Sequence, residues 1–154
     1  MIKICFVCLG NICRSPMAEF IMKDLIKKNN LENKIFIESR ATSYEEIGNG
    51  IYPPAKKKLT EENIYYDSNK VSIRLEKEDL NKYDYIIGME TRNIINIEKI
   101  LETSNKKIKR LLDYSNNPRD IADPWYTGNF DKTYDDILEG CNFLIDFLTK
   151  NNIV

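Results

Sequence analysis

The sequence predicts an α/β domain with a parallel sheet, and three observations point there. Short β-rich runs alternate with segments of helical periodicity, the alternation repeats four times, and 154 residues suffice for one hydrophobic core but not for two ordinary domains. Residues 1–154 are therefore expected to form a single domain. With 42% hydrophobic and 31% charged residues the composition is that of a globular protein, neither a disordered chain nor a membrane-embedded one.

Each element has its own signal. Ile2 to Val7 reads as the first strand, and a helix from about Pro16 carries Met17, Ile21 and Leu25 at four-residue spacing beside Ala18 and Met22. Ile35 to Ser39 is a second strand. Pro53 and Pro54 suit a helix start, with the helix running to about Asn63. Tyr85, Ile86, Ile87 and Met89 form a buried third strand, and Thr91 is placed to cap a helix that buries Ile94, Ile97 and Leu101. Lys107 to Leu112 is the fourth strand. The last helix has the clearest stripe, Tyr134, Ile137, Leu138, Cys141, Leu144, Ile145 and Leu148, which makes Cys141 a core filler. Thr42 to Tyr52 and Asp113 to Asn129 stand out as long loops, where open α/β sheets tend to carry their sites.

Composition also excludes functions. A net charge of −1 argues against nucleic acid as a partner, because binding the phosphate backbone needs a basic surplus. The run Lys56, Lys57, Lys58 reads as a solvated helix face. No apolar run reaches membrane-spanning length, and the opening stretch is too short and too interrupted for a signal sequence, so a cytoplasmic protein is expected. Four irregularly spaced cysteines do not make a disulfide scaffold. Histidine is absent, which removes the usual general base and the commonest zinc ligand together. Neither metal nor cofactor is expected, and catalysis must run on Cys, Asp, Glu, Lys, Arg or Tyr.

The sharpest local pattern is Cys8-Leu9-Gly10-Asn11-Ile12-Cys13-Arg14-Ser15-Pro16, between the first strand and the first helix. Gly10 and Asn11 tolerate left-handed backbone angles, so the loop can curl until several N–H groups face one centre. Pro16 then fixes the first helical turn, whose free N–H groups and positive dipole end face the same centre. A dianionic phosphate suits such a cradle, formed by Leu9, Gly10, Asn11, Ile12, Cys13, Arg14 and Ser15. Cys8, close to a helix N-terminus and to Arg14, is favoured as thiolate and becomes the nucleophile. Arg14 offers a planar fork that can grip two phosphate oxygens and follow the charge during transfer, which Lys cannot reproduce. Ser15 can donate its hydroxyl to the Cys8 sulfur. Cys5 and Cys8 also form a CxxC, but residues three apart on a strand point to opposite faces, which suits neither a redox pair nor a zinc half-site.

A phenolate leaves well only when protonated, so such a nucleophile calls for a carboxylic acid. Asp123 is the candidate: Pro124 keeps it extended, and Trp125 and Tyr126 follow as possible walls for a flat ring. Asp120 competes, without the proline or the aromatic neighbours.

Together CLGNICRSP, Asp123-Pro124-Trp125-Tyr126, Ser39-Arg40-Ala41-Thr42-Ser43 and Tyr83 to Glu90 with Asn93 resemble the low-molecular-weight protein tyrosine phosphatases over essentially the whole chain. The resemblance implies a three-layer fold, a four-stranded parallel sheet in the order 2-1-3-4 with helices on both faces and the active loop at the switch point after strand 1. It implies an enzyme hydrolysing phosphotyrosine and small aryl phosphates through a phosphocysteine intermediate, with Cys8 as nucleophile, Arg14 as phosphate binder, Asp123 as proton donor and no metal. Tyrosine-phosphorylated proteins are then the substrates, and inorganic phosphate or other oxyanions the inhibitors. The family's specificity wall falls on Tyr44, Glu45 and Glu46. Many members place a histidine before the third strand to hold the loop serine, whereas Ser68 to Leu75 has none. Cys13, in the same curved loop, is expected to form a reversible disulfide with oxidised Cys8, as members with a second loop cysteine do. Three other readings remain at this point: a thioredoxin-coupled arsenate reductase, disfavoured by the absence of any cysteine between Cys13 and Cys141; an arginine phosphatase, disfavoured by Leu9 and Ile12; and a phosphate-binding module without activity, which needs neither Cys8 nor Asp123.

Overall fold

The structure is a computed structural model that describes residues 1–154. Its chain order is β1 (Ile2–Cys8), α1 (Arg14–Lys28), β2 (Ile35–Ala41), α2 (Pro53–Glu61), α3 (Asp79–Lys82), β3 (Tyr85–Gly88), α4 (Thr91–Leu101), β4 (Ile108–Arg110), a 3₁₀ turn (Leu111–Tyr114), α5 (Pro124–Thr127) and α6 (Phe130–Lys150). The four strands are parallel and lie in the order β2-β1-β3-β4.

β1 is apolar along most of its length because it is covered on both faces. Alternation sends Ile4, Phe6 and Cys8 into the larger core with α1, α2 and α6, and Cys5 and Val7 into a smaller one with Ile97 and Leu101 of α4. Cys5 and Cys8 thus belong to opposite faces, as their spacing requires. Since β1 has β2 on one side and β3 on the other, the chain leaves its carboxyl end in one direction and later returns in the other. The crevice this opens lies directly beyond Cys8.

Three differences from the sequence expectation have a local reason. Glu90, not Thr91, is the cap position of α4, its N–H donating to Asn93 Oδ1 at 3.0 Å; the Thr91 hydroxyl and N–H both donate to Asp120. β4 stops at Arg110, whose backbone and guanidinium both donate to Asp113 and turn the chain into the 3₁₀ segment. That segment packs on α6 at Gly140, where a β-carbon would stand 2.4 Å from Leu111 Cγ, so the helix interior needs a glycine there. Trp125 and Tyr126 sit on the short helix α5 rather than on an extended loop, because Pro124 is preorganised for a first helical position and Asp123 caps it.

Candidate active site

The loop from Cys8 to Ser15 joins the end of β1 to the start of α1. Its sharp turn is made by Asn11, at φ +57°, in the left-handed region that asparagine tolerates better than most residues. Gly10 is not left-handed. Its missing side chain instead admits Glu46, whose Cγ would lie 3.3 Å from a β-carbon at that position. Neighbouring segments hold the loop in place: Ser72 Oγ donates to Gly10 O at 2.8 Å, Tyr52 N to Ile12 O at 2.9 Å, and Thr42 N and Ser43 N to Cys8 O and Leu9 O at 3.0 Å each.

The turn points polar hydrogens at the Cys8 sulfur. Asn11 N–H donates to Sγ at 3.3 Å, Ser15 N–H at 3.4 Å, and Ser15 Oγ lies at 3.0 Å. The direction of that last contact follows from what lies beneath. Ile73 N–H donates to Asn11 Oδ1, which leaves Asn11 Nδ2 to donate to Ser15 Oγ at 2.7 Å and Ser39 Oγ at 2.9 Å. Ser39 donates onward to Glu19 Oε1 at 2.5 Å. With a donor already on its oxygen, Ser15 turns its single hydrogen to the sulfur, the arrangement a thiolate favours. Glu19 is 5% exposed and bonded to Lys23, with Lys70 Nζ 3.8 Å away. Burial pulls the Lys70 amine below its ordinary value, opposed by Glu19. No histidine is needed to orient Ser15; the amide of Asn11 does so.

Arg14 is almost wholly buried at the first position of α1. Its Nη1 donates to Glu90 Oε2 at 2.5 Å and to Ile121 O at 2.8 Å, and its Nη2 to Asp123 Oδ2 at 3.4 Å. Burial works against the charge, but the Cys8 sulfur, Asp123 and Glu90 together raise the guanidinium above its ordinary value, so it remains a cation aimed across the loop. Asp123 is extended, as the following proline demands, and its Oδ1 accepts from Trp125 N–H at 3.0 Å. Asp120, the competing acid, is taken up by Thr91 and Arg110.

These groups meet in a pocket of about 130 Å³ lined by Cys8, Leu9, Gly10, Ile12, Cys13, Arg14, Ser43, Glu45, Glu46, Asp123, Trp125 and Tyr126. Trp125 packs against Tyr52 with ring centres 4.7 Å apart and the ring planes tilted by 49°. Asn11 and Ser15 do not line the pocket; they lie beneath it, meeting the sulfur through their N–H groups and the Ser15 hydroxyl. Tyr44, placed in the wall by sequence, is also outside the lining, its ring lying 4.1 Å from the Arg74 guanidinium. There the guanidinium offers the ring a cation–π contact. Cys5 and Cys141 are fully enclosed, and burial pushes both thiols up. Burial, and then the adjacent Cys8, does the same to Cys13.

Glu90, Glu19, Ser39 and Ser72 received no role from the sequence. Glu90 and Ser39 lie inside segments that carry the family resemblance, the one signal available for them. Glu19 and Ser72 have none, since their partners stand 20 and 62 residues away.

The family model described as low molecular weight phosphotyrosine protein phosphatase matches residues 3–153. The protein-tyrosine-phosphatase PtpA of Staphylococcus aureus strain MRSA252 is 39% identical over 152 residues, 98% of this chain and 96% of that one. Among solved structures, YfkJ from Bacillus subtilis superposes with a TM-score of 0.94 at 40% identity, covering 98% of this chain and 96% of the other. The low molecular weight protein tyrosine phosphatase SP-PTP from Streptococcus pyogenes gives 0.85 at 40% identity, covering 97% and 93%.

Proposed function

Because the chain belongs to the low molecular weight phosphotyrosine protein phosphatase family, we propose a role for each residue that meets at its pocket. The protein is a cysteine-dependent protein tyrosine phosphatase, and phosphoproteins are its substrates. In the first step the Cys8 thiolate attacks phosphorus in line with the aryl oxygen. The P–O bond breaks as the S–P bond forms, and Asp123 gives its proton to the departing phenolate. In the second step Asp123 takes a proton from water, the resulting hydroxyl attacks phosphorus, and the S–P bond breaks to return phosphate and the thiolate. Arg14 and the loop N–H groups hold the equatorial oxygens throughout. Ser15, oriented by Asn11, stabilises the thiolate both before attack and as the leaving group. Leu9, Ile12, Trp125 and Tyr126 enclose the ring, and inorganic phosphate and related oxyanions compete for the cradle.

The observation that carries this reading is the convergence of three donors on one sulfur, with Arg14 and Asp123 lining the same pocket. Residues 1–154 act as one catalytic unit. A cytoplasmic location without nucleic-acid or membrane partners fits a net charge of −1 and a chain in which no helix is long and apolar enough to cross a membrane. Turnover of p-nitrophenyl phosphate in EDTA tests the chemistry, and phosphate release from matched phosphotyrosine, phosphoserine and phosphoarginine peptides tests the substrate. Undiminished turnover in EDTA and preference for phosphotyrosine are expected. Loss of activity on chelation, or preference for phosphoarginine, would overturn the assignment.

A further inference from the structure

An anion site bordered by unpaired carboxylates is an electrostatic contradiction unless something cationic arrives with the anion. Glu45 and Glu46 both line the phosphate pocket. Neither takes part in any ion pair of the chain; Glu46 Oε2 accepts only from the uncharged Asn49 Nδ2, at 2.7 Å. The guanidinium on the adjoining loop, Arg74, is turned aside against the Tyr44 ring and bonded to Leu75 O. Within the lining Arg14 is the one cation, against Glu45, Glu46 and Asp123, and it is already paired with Glu90. The backbone that carries the two glutamates is held in place. The Glu46 stem packs over Gly10, Ser43 N–H bonds Leu9 O, and Gly48 N–H bonds Ser72 O at 3.0 Å.

Resting on the phosphatase reading above, we propose that Glu45 and Glu46 are specificity-determining residues that select phosphotyrosines flanked by Lys or Arg. A bound phosphate dianion is repelled by both carboxylates, and basic residues on either side of the phosphotyrosine reverse that penalty. Acidic flanks add to it. Rim charges of this kind discriminate between partners more than they raise affinity, and salt screens them. Each exposed pair contributes a few-fold at most, so two pairs together with the like-charge penalty on the wrong substrate amount to about tenfold between basic and acidic flanks.

The test compares kcat/KM on phosphotyrosine peptides that differ only in having Lys, Ala or Asp around the phosphotyrosine, with p-nitrophenyl phosphate run alongside. The Lys peptide is expected to exceed the Asp peptide by about tenfold in the native enzyme at low ionic strength, and by less in high salt. The ratio should fall toward one in E45Q/E46Q and in the milder single variant E45Q move part of the way. Because the ratio is taken within each enzyme, a general loss of activity does not imitate the effect. Equal efficiency on all peptides by the native enzyme, or an unchanged ratio in E45Q/E46Q, overturns the inference while leaving the phosphatase reading intact. Failure to hydrolyse p-nitrophenyl phosphate or any peptide overturns both.

Discussion

The floor and the rim of the phosphate pocket both carry glutamate, and they treat it in opposite ways. Beneath the loop, Glu19, Ser39, Asn11 and Ser15 are buried, and every hydrogen has an acceptor, so the direction of each bond is settled before substrate arrives. Around the mouth, Trp125 is 52% exposed, Tyr126 79%, and the carboxylates of Glu45 and Glu46 face the opening without a cation. A buried polar chain is stable only when fully satisfied, and rigidity follows from that. An exposed charge is indifferent to folding and available to a partner. Under the proposed mechanism, chemistry falls to the floor, to the buried Arg14 and to the half-buried Asp123, and choice of substrate to the rim.

That division is open to attack at several points. The largest effect is expected at Asp123→Asn, which should lower the rate by about 10²–10⁴ for phenolic leaving groups and by much less for p-nitrophenol, whose departure needs little proton assistance. A uniform loss across leaving groups of different basicity would remove Asp123 from the role of acid. Asn11→Gly keeps the left-handed turn while deleting the amide that orients Ser15. It should cost about tenfold in kcat, the equivalent of roughly 1.4 kcal/mol, or one hydrogen bond to a charged group, with the fold retained by circular dichroism. An unchanged kcat would show that the floor is scaffolding only. Cys13 borders the nucleophile. After brief peroxide exposure, a thiol reductant should restore most activity to the native enzyme and clearly less to Cys13→Ser, with a Cys8–Cys13 peptide in the map. Equal recovery and no linked peptide would leave Cys13 as packing. The smallest effect belongs to the rim: Trp125→Ala should raise KM for aryl phosphates by a few-fold, in keeping with about 0.5–1.5 kcal/mol per aromatic contact, and leave kcat nearly unchanged.

Much of this was legible in the amino-acid sequence, and the boundary has a physical explanation. The strand β1, the α6 stripe, the Cys8 loop and the Asp123-Pro124 pair are written in residues adjacent along the chain or repeating at a fixed period, and the structure places them accordingly. Glu90 at the cap of α4 is not legible because Thr91 is the better intrinsic cap; the bond from Glu90 N–H to Asn93 Oδ1 and the Arg14 guanidinium beside the Glu90 carboxylate prevail over that preference. The orientation of Ser15 was unreadable for another reason. It depends on Ser39, Ile73 and Glu19 arriving from three separate segments, and contacts 28 and 62 residues apart leave no local pattern. Tyr44 was misplaced because spacing along a loop says nothing about which way a ring turns once Arg74 lies beside it.

The proposed mechanism requires a covalent bond between phosphorus and the Cys8 sulfur. The direct measurement is a rapid denaturing quench during steady turnover of p-nitrophenyl phosphate, a good leaving group that lets the intermediate accumulate, followed by peptide mapping by mass spectrometry. Phosphate is expected on the peptide containing Cys8 in the native enzyme, with no phosphopeptide and no turnover in Cys8→Ser, since an alcohol there is far less ionised than a thiol. Phosphate on another residue, or activity of Cys8→Ser within tenfold of native, would contradict it.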